Sequence, residues 1–380
     1  MIRLHKVDSA TTIYEWNKDL NTGQDEMLEL TVRYSSEWGK LTDEASRIFI
    51  KPRWYDKPEY SFVSASLRLY AANVEGNATL TVPDDYYTVS PLHGTFTEGT
   101  GRYFDNPKIV DTIGSTWNLR GSYGSVQYPT PNASAGTFSQ SLTNQDGGGV
   151  WFTGSNSGSI SVSANDHETA YTLLEKESSY YDLSFDISTY MTHVSNSTTT
   201  LGANAGLVIK YTLEEQIGHP SVKYFSNSTN TIYGPVVEYK SDNYAWDTDK
   251  ATIGTDQATV YYKGNLGKYN RRETVRFRPV VRETFPTASY GTASVADTIK
   301  TFTATKATYA IVDEKTDEEV IRFDSTYTRV CADDNGMWFD IDMGSLAPGR
   351  VYKPLLRVDG RLGSTGQYEY FDNKDYFEVV

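Results

Sequence analysis

The 380-residue chain carries a formal charge of −14 at pH 7 and a pI near 4.9. This argues against direct contact with nucleic acid, where clustered Lys and Arg must release counterions from phosphates. A single cysteine, Cys331, excludes an intrachain disulfide and a cysteine-based zinc site, and no apolar run is long enough to span a bilayer. Aromatic residues make up 13% of the chain and include 29 tyrosines, so much of its apolar area comes from rings that pack on one side and hydrogen-bond on the other.

The first segment, "MIRLHKVDSATTIYEWNKDL", has no apolar core of the kind a secretion signal needs, which suits a protein made and kept in a cytoplasm. It alternates polar and apolar positions with no local second element to pair with. The expectation is therefore an arm ordered by neighbouring subunits, with Ile13, Tyr14 and Trp16 as apolar anchors. Helical spacing is scarce: "DEMLELTVRYSSEW" and "HETAYTLLEKESS" are the two short candidates, the first weakened by its β-branched residues.

Strand signals dominate the rest of the chain. "SRIFIKPRW", "SASLRLYAA", "DYYTVSP", "YDLSFDISTYM", "AGLVIKYTL", "GPVVEYK" and "ATVYYKG" are β-branched or aromatic runs bounded by turn formers, a spacing that indicates β-sandwiches or jelly rolls. Within "FTEGTGRYFDNPKIVDTIGSTWNLRG", Trp117 reads as an indole that anchors the core at the start of a strand. Residues 123–158 form a Gly/Ser/Asn-rich insertion, functional or ordered by a partner, in which Trp151 is a candidate contact. Residues 241–270 mark a domain boundary.

In the dense basic run "KYNRRETVRFRPVVR", Arg276 and Arg278 alternate with Val275 and Phe277. The pattern reads as a strand with one solvated face, or as a docking strip for an acidic neighbour. "AIVDEKTDEEVIRF" reads as a hairpin over an acidic turn, and "CADDNGMWFDIDM" as a second hairpin or bend at Asn335-Gly336.

Motifs for chemistry are scarce. The histidines His5, His93, His167, His193 and His219 include no i, i+4 pair, and there is no G-x-S-x-G, Walker loop or dinucleotide fingerprint. "ADDNGMWFDID" approaches a calcium loop, but aligning its Asn-Gly step puts Cys331 and Asp342 where Asp and Glu are wanted, so an acidic turn is the simpler reading. The sequons at Asn77, Asn132, Asn196 and Asn227 read as chance products of a Ser/Thr/Asn-rich chain. No catalytic residue, metal or cofactor is expected.

Five motifs in order, "SRIFIK", "SASLRLYA", "FTEGTG…GSTWN", "LSFDIST" and "NAGLVIKYT", resemble the DNRLRE β-domain family, which is similar to the jelly rolls of carbohydrate-binding modules. Further on, "GSLAPGRVYKPLLRVDG" places Leu346, Pro348, Gly349 and Tyr352 in a pattern similar to the Leu-x-Pro-Gly-x-x-Tyr corner of fibronectin type III-like sandwiches. The segment "KYFSNSTNTIYGPVVEYKSDN" with the unit "RRETVRFRPVVRETFP" resembles structural proteins of tailed phages.

These resemblances imply an all-β chain: an arm over residues 1–39, a jelly-roll-like β-sandwich over 40–245, a linker over 246–270 and an immunoglobulin-like β-sandwich over 271–380. They imply a non-enzymatic virion protein of the neck, collar, tail or head surface, assembled in the host bacterial cytoplasm. Its partners would be other virion proteins and copies of itself, with no direct nucleic-acid or membrane contact. The alternative is a carbohydrate-binding or host-adhesion module of a phage fibre, with a glycan as ligand.

Overall fold

Alternation of apolar and polar side chains over five to ten residues is satisfied only when one face of an extended segment is buried. That pattern sets most elements of the chain. The computed structural model describes residues 1–35, 42–53, 61–75, 87–92, 95–104, 114–121, 138–140, 147–152, 182–195, 206–211, 221–285, 299–360 and 367–380. They are nearly all β and fall into two units. The larger comprises Lys6–Asp56 and Ser64–Glu238; the C-terminal unit comprises Met1–His5, Lys57–Val63 and Tyr239–Val380.

In the larger unit, one sheet runs Ser9–Tyr14, Thr42–Lys51, Leu207–Tyr211, Tyr87–Pro91, and Val32–Ser35 also pairs with Thr42–Lys51. A second runs Met27–Leu30, Ser221–Phe225, Ala71–Glu75, and Leu183–Asp186 pairs antiparallel with the end of Ser61–Leu69. Ile13, Phe49, Phe96, Trp117, Trp151 and Val208 meet in one buried cluster.

In the C-terminal unit, one sheet runs Ala258–Lys263, Thr274–Glu283, Gly336–Asp342, Cys331–Asp333. The other runs Lys268–Tyr269, Phe377–Val379, Val351–Asp359, Ala307–Asp313, Glu319–Ile321, with Tyr368–Phe371 also on Val351–Asp359. Between them lies an aromatic core in which Tyr309 stacks on Phe339 at 4.1 Å between centroids. Two strand prolines, each paired on one side, fall where pairing lapses on the other flank. Pro354 lies between the Phe377–Val379 partner at 351–352 and the Tyr368–Phe371 partner at 356–359, and beyond Phe277 the strand carrying Pro279 has left its Gly336–Asp342 partner. A missing N–H therefore interrupts no ladder on those flanks.

Several expectations change. The N-terminal segment is two strands: Ser9–Tyr14 pairs over its whole length with Thr42–Lys51, while Ile2 and Leu4 enter the core of the C-terminal unit. Its partner lies some thirty residues away in sequence, beyond the reach of local pattern. Residues 246–270 are not a bare linker, for they hold Ala258–Lys263 and Lys268–Tyr269, and Trp246 bridges to Ala332.

The first helix candidate forms the strands Met27–Leu30 and Val32–Ser35, as its β-branched residues favour. The second, at 167–179, lies outside the described residues. A helix does form at Ser188–Ser195, beginning inside the strand-like run that ends at Met191. Asp186 Oδ1 accepts from Ser188 N at 2.7 Å and from the Ser188 hydroxyl, so a capping residue turns the chain. In the Cys331–Asp342 hairpin Asp333 pairs with Gly336, so the turn is Asp334-Asn335 and Gly336 follows it at φ 105°.

Candidate interaction surface

The basic strip is the clearest case of charge settled within the chain. Thr274–Glu283 pairs with Gly336–Asp342, setting Arg276 opposite Asp340. Arg276 donates to both Asp340 oxygens at 2.8 and 3.0 Å and stacks on Trp338 with its Cζ 3.6 Å from the ring centroid. Arg278 grips both oxygens of Asp333 at 2.9 and 2.8 Å. That contact holds the Asp333 carboxyl below the usual carboxylate range. Two carboxylates of the calcium-like loop, Asp333 and Asp340, are thus committed to arginines, and Arg276 and Arg278 are neutralised in place. Among the described residues no group of three or more His, Cys, Asp or Glu side chains converges, and no helix is long and apolar enough to cross a membrane.

Tyr352 is 1% exposed. Its hydroxyl donates to Ala347 O at 3.0 Å and accepts from Ala347 N at 2.9 Å, closing the turn that leads into Val351–Asp359. Burial pushes the phenol up to about 12, against the opposing pull of the Ala347 N–H. Leu346 is buried beside it, Pro348 and Gly349 are exposed, and Gly349 takes φ 75°, a region that favours glycine.

Trp117 is fully buried, but it anchors the core from a loop and begins no strand. It forms one wall of a cage around Arg47, itself 0% exposed. The Arg47 Cζ lies 4.5 Å from the Trp117 ring centroid and 5.0 Å from that of Trp151, and its Nη1 donates to Gly148 O at 2.6 Å. Gly148 takes φ 80°, and a Cβ there would run into the guanidinium.

Nearby loops are tied by Asn21, whose Nδ2 donates to Glu98 O and Ser115 O, both at 2.8 Å. Its Oδ1 accepts from Gly101 N at 2.9 Å and Gly23 N at 3.3 Å. All four hydrogen-bonding positions of one amide are used within the chain.

The expected contact residues of the larger unit are therefore mostly inside it. Ile13, Tyr14 and Trp151 are buried, and Trp16 is half-buried with its ring 4.8 Å from that of Tyr14. The physical reason is pairing: once Ser9–Tyr14 lies on Thr42–Lys51, its apolar side chains face their own core. Of the insertion at 123–158, only 138–140 and 147–152 are described; Phe138–Gln140 pairs with Val150–Phe152, and the rest of that expectation lies outside the described residues.

Exposed apolar surface collects elsewhere. Eleven large apolar side chains are exposed among the described residues, and all but Met27 and Phe104 belong to the C-terminal unit. The most ordered group lies on Tyr368–Phe371, where Tyr368 (44%) and Tyr370 (53%) point outward together. Tyr370 stands opposite Arg357 in register and edge-on to Phe323 at 5.9 Å. Sequence reasoning missed this group. The Tyr-x-Tyr spacing of "YEYF" was the visible signal, whereas its alignment with Arg357 depends on strand register. A scan against protein-family models gives no match to the chain, and neither does a search of curated proteins.

Proposed function

We propose that the chain is a non-catalytic structural protein of a bacteriophage particle, assembling through protein–protein contacts. The larger unit would be a DNRLRE-type jelly roll and the C-terminal unit an immunoglobulin-like sandwich. Support for the second assignment comes from its two antiparallel sheets around an aromatic core and from the Tyr352 hydroxyl closing the turn before Val351–Asp359.

The observation that carries the functional reading is the set of exposed apolar side chains, tyrosines prominent among them, on the described surface of the C-terminal unit of a strongly acidic chain. Tyrosine and arginine are enriched where proteins meet. The test is hydrogen exchange on the isolated chain and on purified particles that contain it. Protection of Tyr368–Phe371 that appears only in the particle supports assembly; equal exchange in both states overturns it.

A second reading, a carbohydrate-binding or adhesion module, is favoured by the exposed pair Tyr368 and Tyr370, whose rings could stack on a sugar. Saturable glycan binding that Tyr370→Ala abolishes, with no change in exchange on assembly, would select it.

A further inference from the structure

Arg276, Arg278 and Arg350 of the C-terminal unit each close a two-toothed pair on a carboxylate, of Asp340, Asp333 and Asp313. Arg357 is built differently. Its guanidinium lies between the rings of Phe323 and Tyr368, with Cζ 4.3 and 4.4 Å from their centroids, and its Nε donates to Thr308 Oγ1 at 3.3 Å. Among the described residues no carboxylate meets it, and the connection at 361–366, RLGSTG, contains no acid. None of its nitrogens is buried without a partner, so the Nη edge reaches solvent. A cation pinned on two faces and one edge has already lost its rotamer freedom, and a carboxylate arriving at the open edge costs little further ordering.

We propose that Arg357, Phe323, Tyr368 and Tyr370 form the hot spot at which this unit docks the exposed acidic turn of a second copy of the chain. The proposal rests on the assembly reading and names its contact. Charge complementarity selects the occupant. In the turn after Ala307–Asp313, Glu314 and Asp317 are exposed, as is Glu319 at the head of Glu319–Ile321, with Lys315 the one exposed cation among them, whereas Asp313 is held by Arg350. Asp317 keeps a 3.8 Å contact with Lys353, whose closer partner is Asp372 at 2.9 Å.

The turn cannot serve its own platform. Thr308, which pins Arg357, is at one end of Ala307–Asp313 and the turn is at the other, roughly 17 Å away at ~3.3 Å per residue. Two different patches of one chain then meet, and such a contact propagates into a ring or an open row of subunits.

Sedimentation velocity of the full chain over a range of concentration and salt tests this. Self-association that weakens as salt rises is expected. Arg357→Glu should weaken it about thirtyfold, the scale of a hot-spot residue, with an unchanged far-UV spectrum, and Arg357→Lys should fall between. The double variant Asp317→Arg/Glu319→Arg should weaken it likewise, and mixing it with Arg357→Glu should restore association, because each reversed patch then meets its complement. A chain monomeric at all concentrations, unchanged association in Arg357→Glu, or a monomer that instead binds an oligouronate at this cluster would overturn the proposal. Exchange protection in the particle alongside a monomer in isolation would leave the assembly reading standing and remove only this contact.

Discussion

The two units hold their shape by different means. In the larger unit the defining contacts join residues far apart in sequence and are buried: Asn21 to Gly101 and Ser115, and Arg47 to Gly148. In the C-terminal unit the Arg276 and Arg278 ion pairs join strands in the half-open surface over an aromatic core. Buried polar contacts are costly to break because the group left behind loses both partner and solvent, while exposed pairs lose little. The larger unit should therefore be brittle to single substitutions at its ties, and the C-terminal unit tolerant at its charges.

The sharpest test of that contrast is Arg47. Its removal in Arg47→Ala empties a site between two indoles and strips Gly148 O of its donor, so a loss of about 3 kcal/mol or more is expected. Gly148→Ala should be damaging in the same direction, since the left-handed backbone and the guanidinium both oppose a Cβ. Chemical denaturation measures both. Losses no greater than that of Arg278→Ala would end the distinction between the units.

Tyr352→Phe addresses the C-terminal unit at a buried tie of its own. The ring stays buried while Ala347 N and O lose the hydroxyl they share, which should cost about 1 kcal/mol. A neutral result by thermal or denaturant unfolding would show that water replaces the hydroxyl and that the corner contributes only its ring.

The same contrast explains what the sequence discloses. The hairpins over Ala307–Ile321 and Cys331–Asp342 are legible because partner strands are neighbours in the chain and turn residues mark the join. The Leu346–Tyr352 pattern is legible because the hydroxyl and the backbone group it serves are five residues apart. Ser9–Tyr14 resembles a waiting arm because its partner, Thr42–Lys51, is distant in the chain. Trp151 and Arg47 look unrelated because the glycines that bring them together lie a hundred residues from the arginine. Arg276 and Arg278 read correctly as one face of a strand, but the acids that occupy them belong to the two strands of a hairpin some sixty residues on.

The smallest expected effect sets the two units against each other through pH. In the C-terminal unit Arg278 holds the Asp333 carboxyl below its usual range, so its folded pKa lies under its unfolded value. Its stabilisation is full above the unfolded value near 4 and is lost as pH falls through the folded one. In the larger unit burial raises Glu98, with the Ala10 N–H opposing, so its folded pKa lies above the unfolded value. The stability linked to that proton is full below the unfolded value and is lost as pH rises through the folded one. Asp333→Asn should therefore flatten the acid side of the stability profile, by about 0.5 kcal/mol for a partly exposed pair. Glu98→Gln, which keeps an oxygen for Ala10 N, should stabilise slightly near neutrality and change nothing at pH 3. Unfolding curves recorded from pH 3 to 7 read both variants, and a Glu98→Gln gain that persists undiminished at pH 3 would show that its origin is packing, not the buried charge.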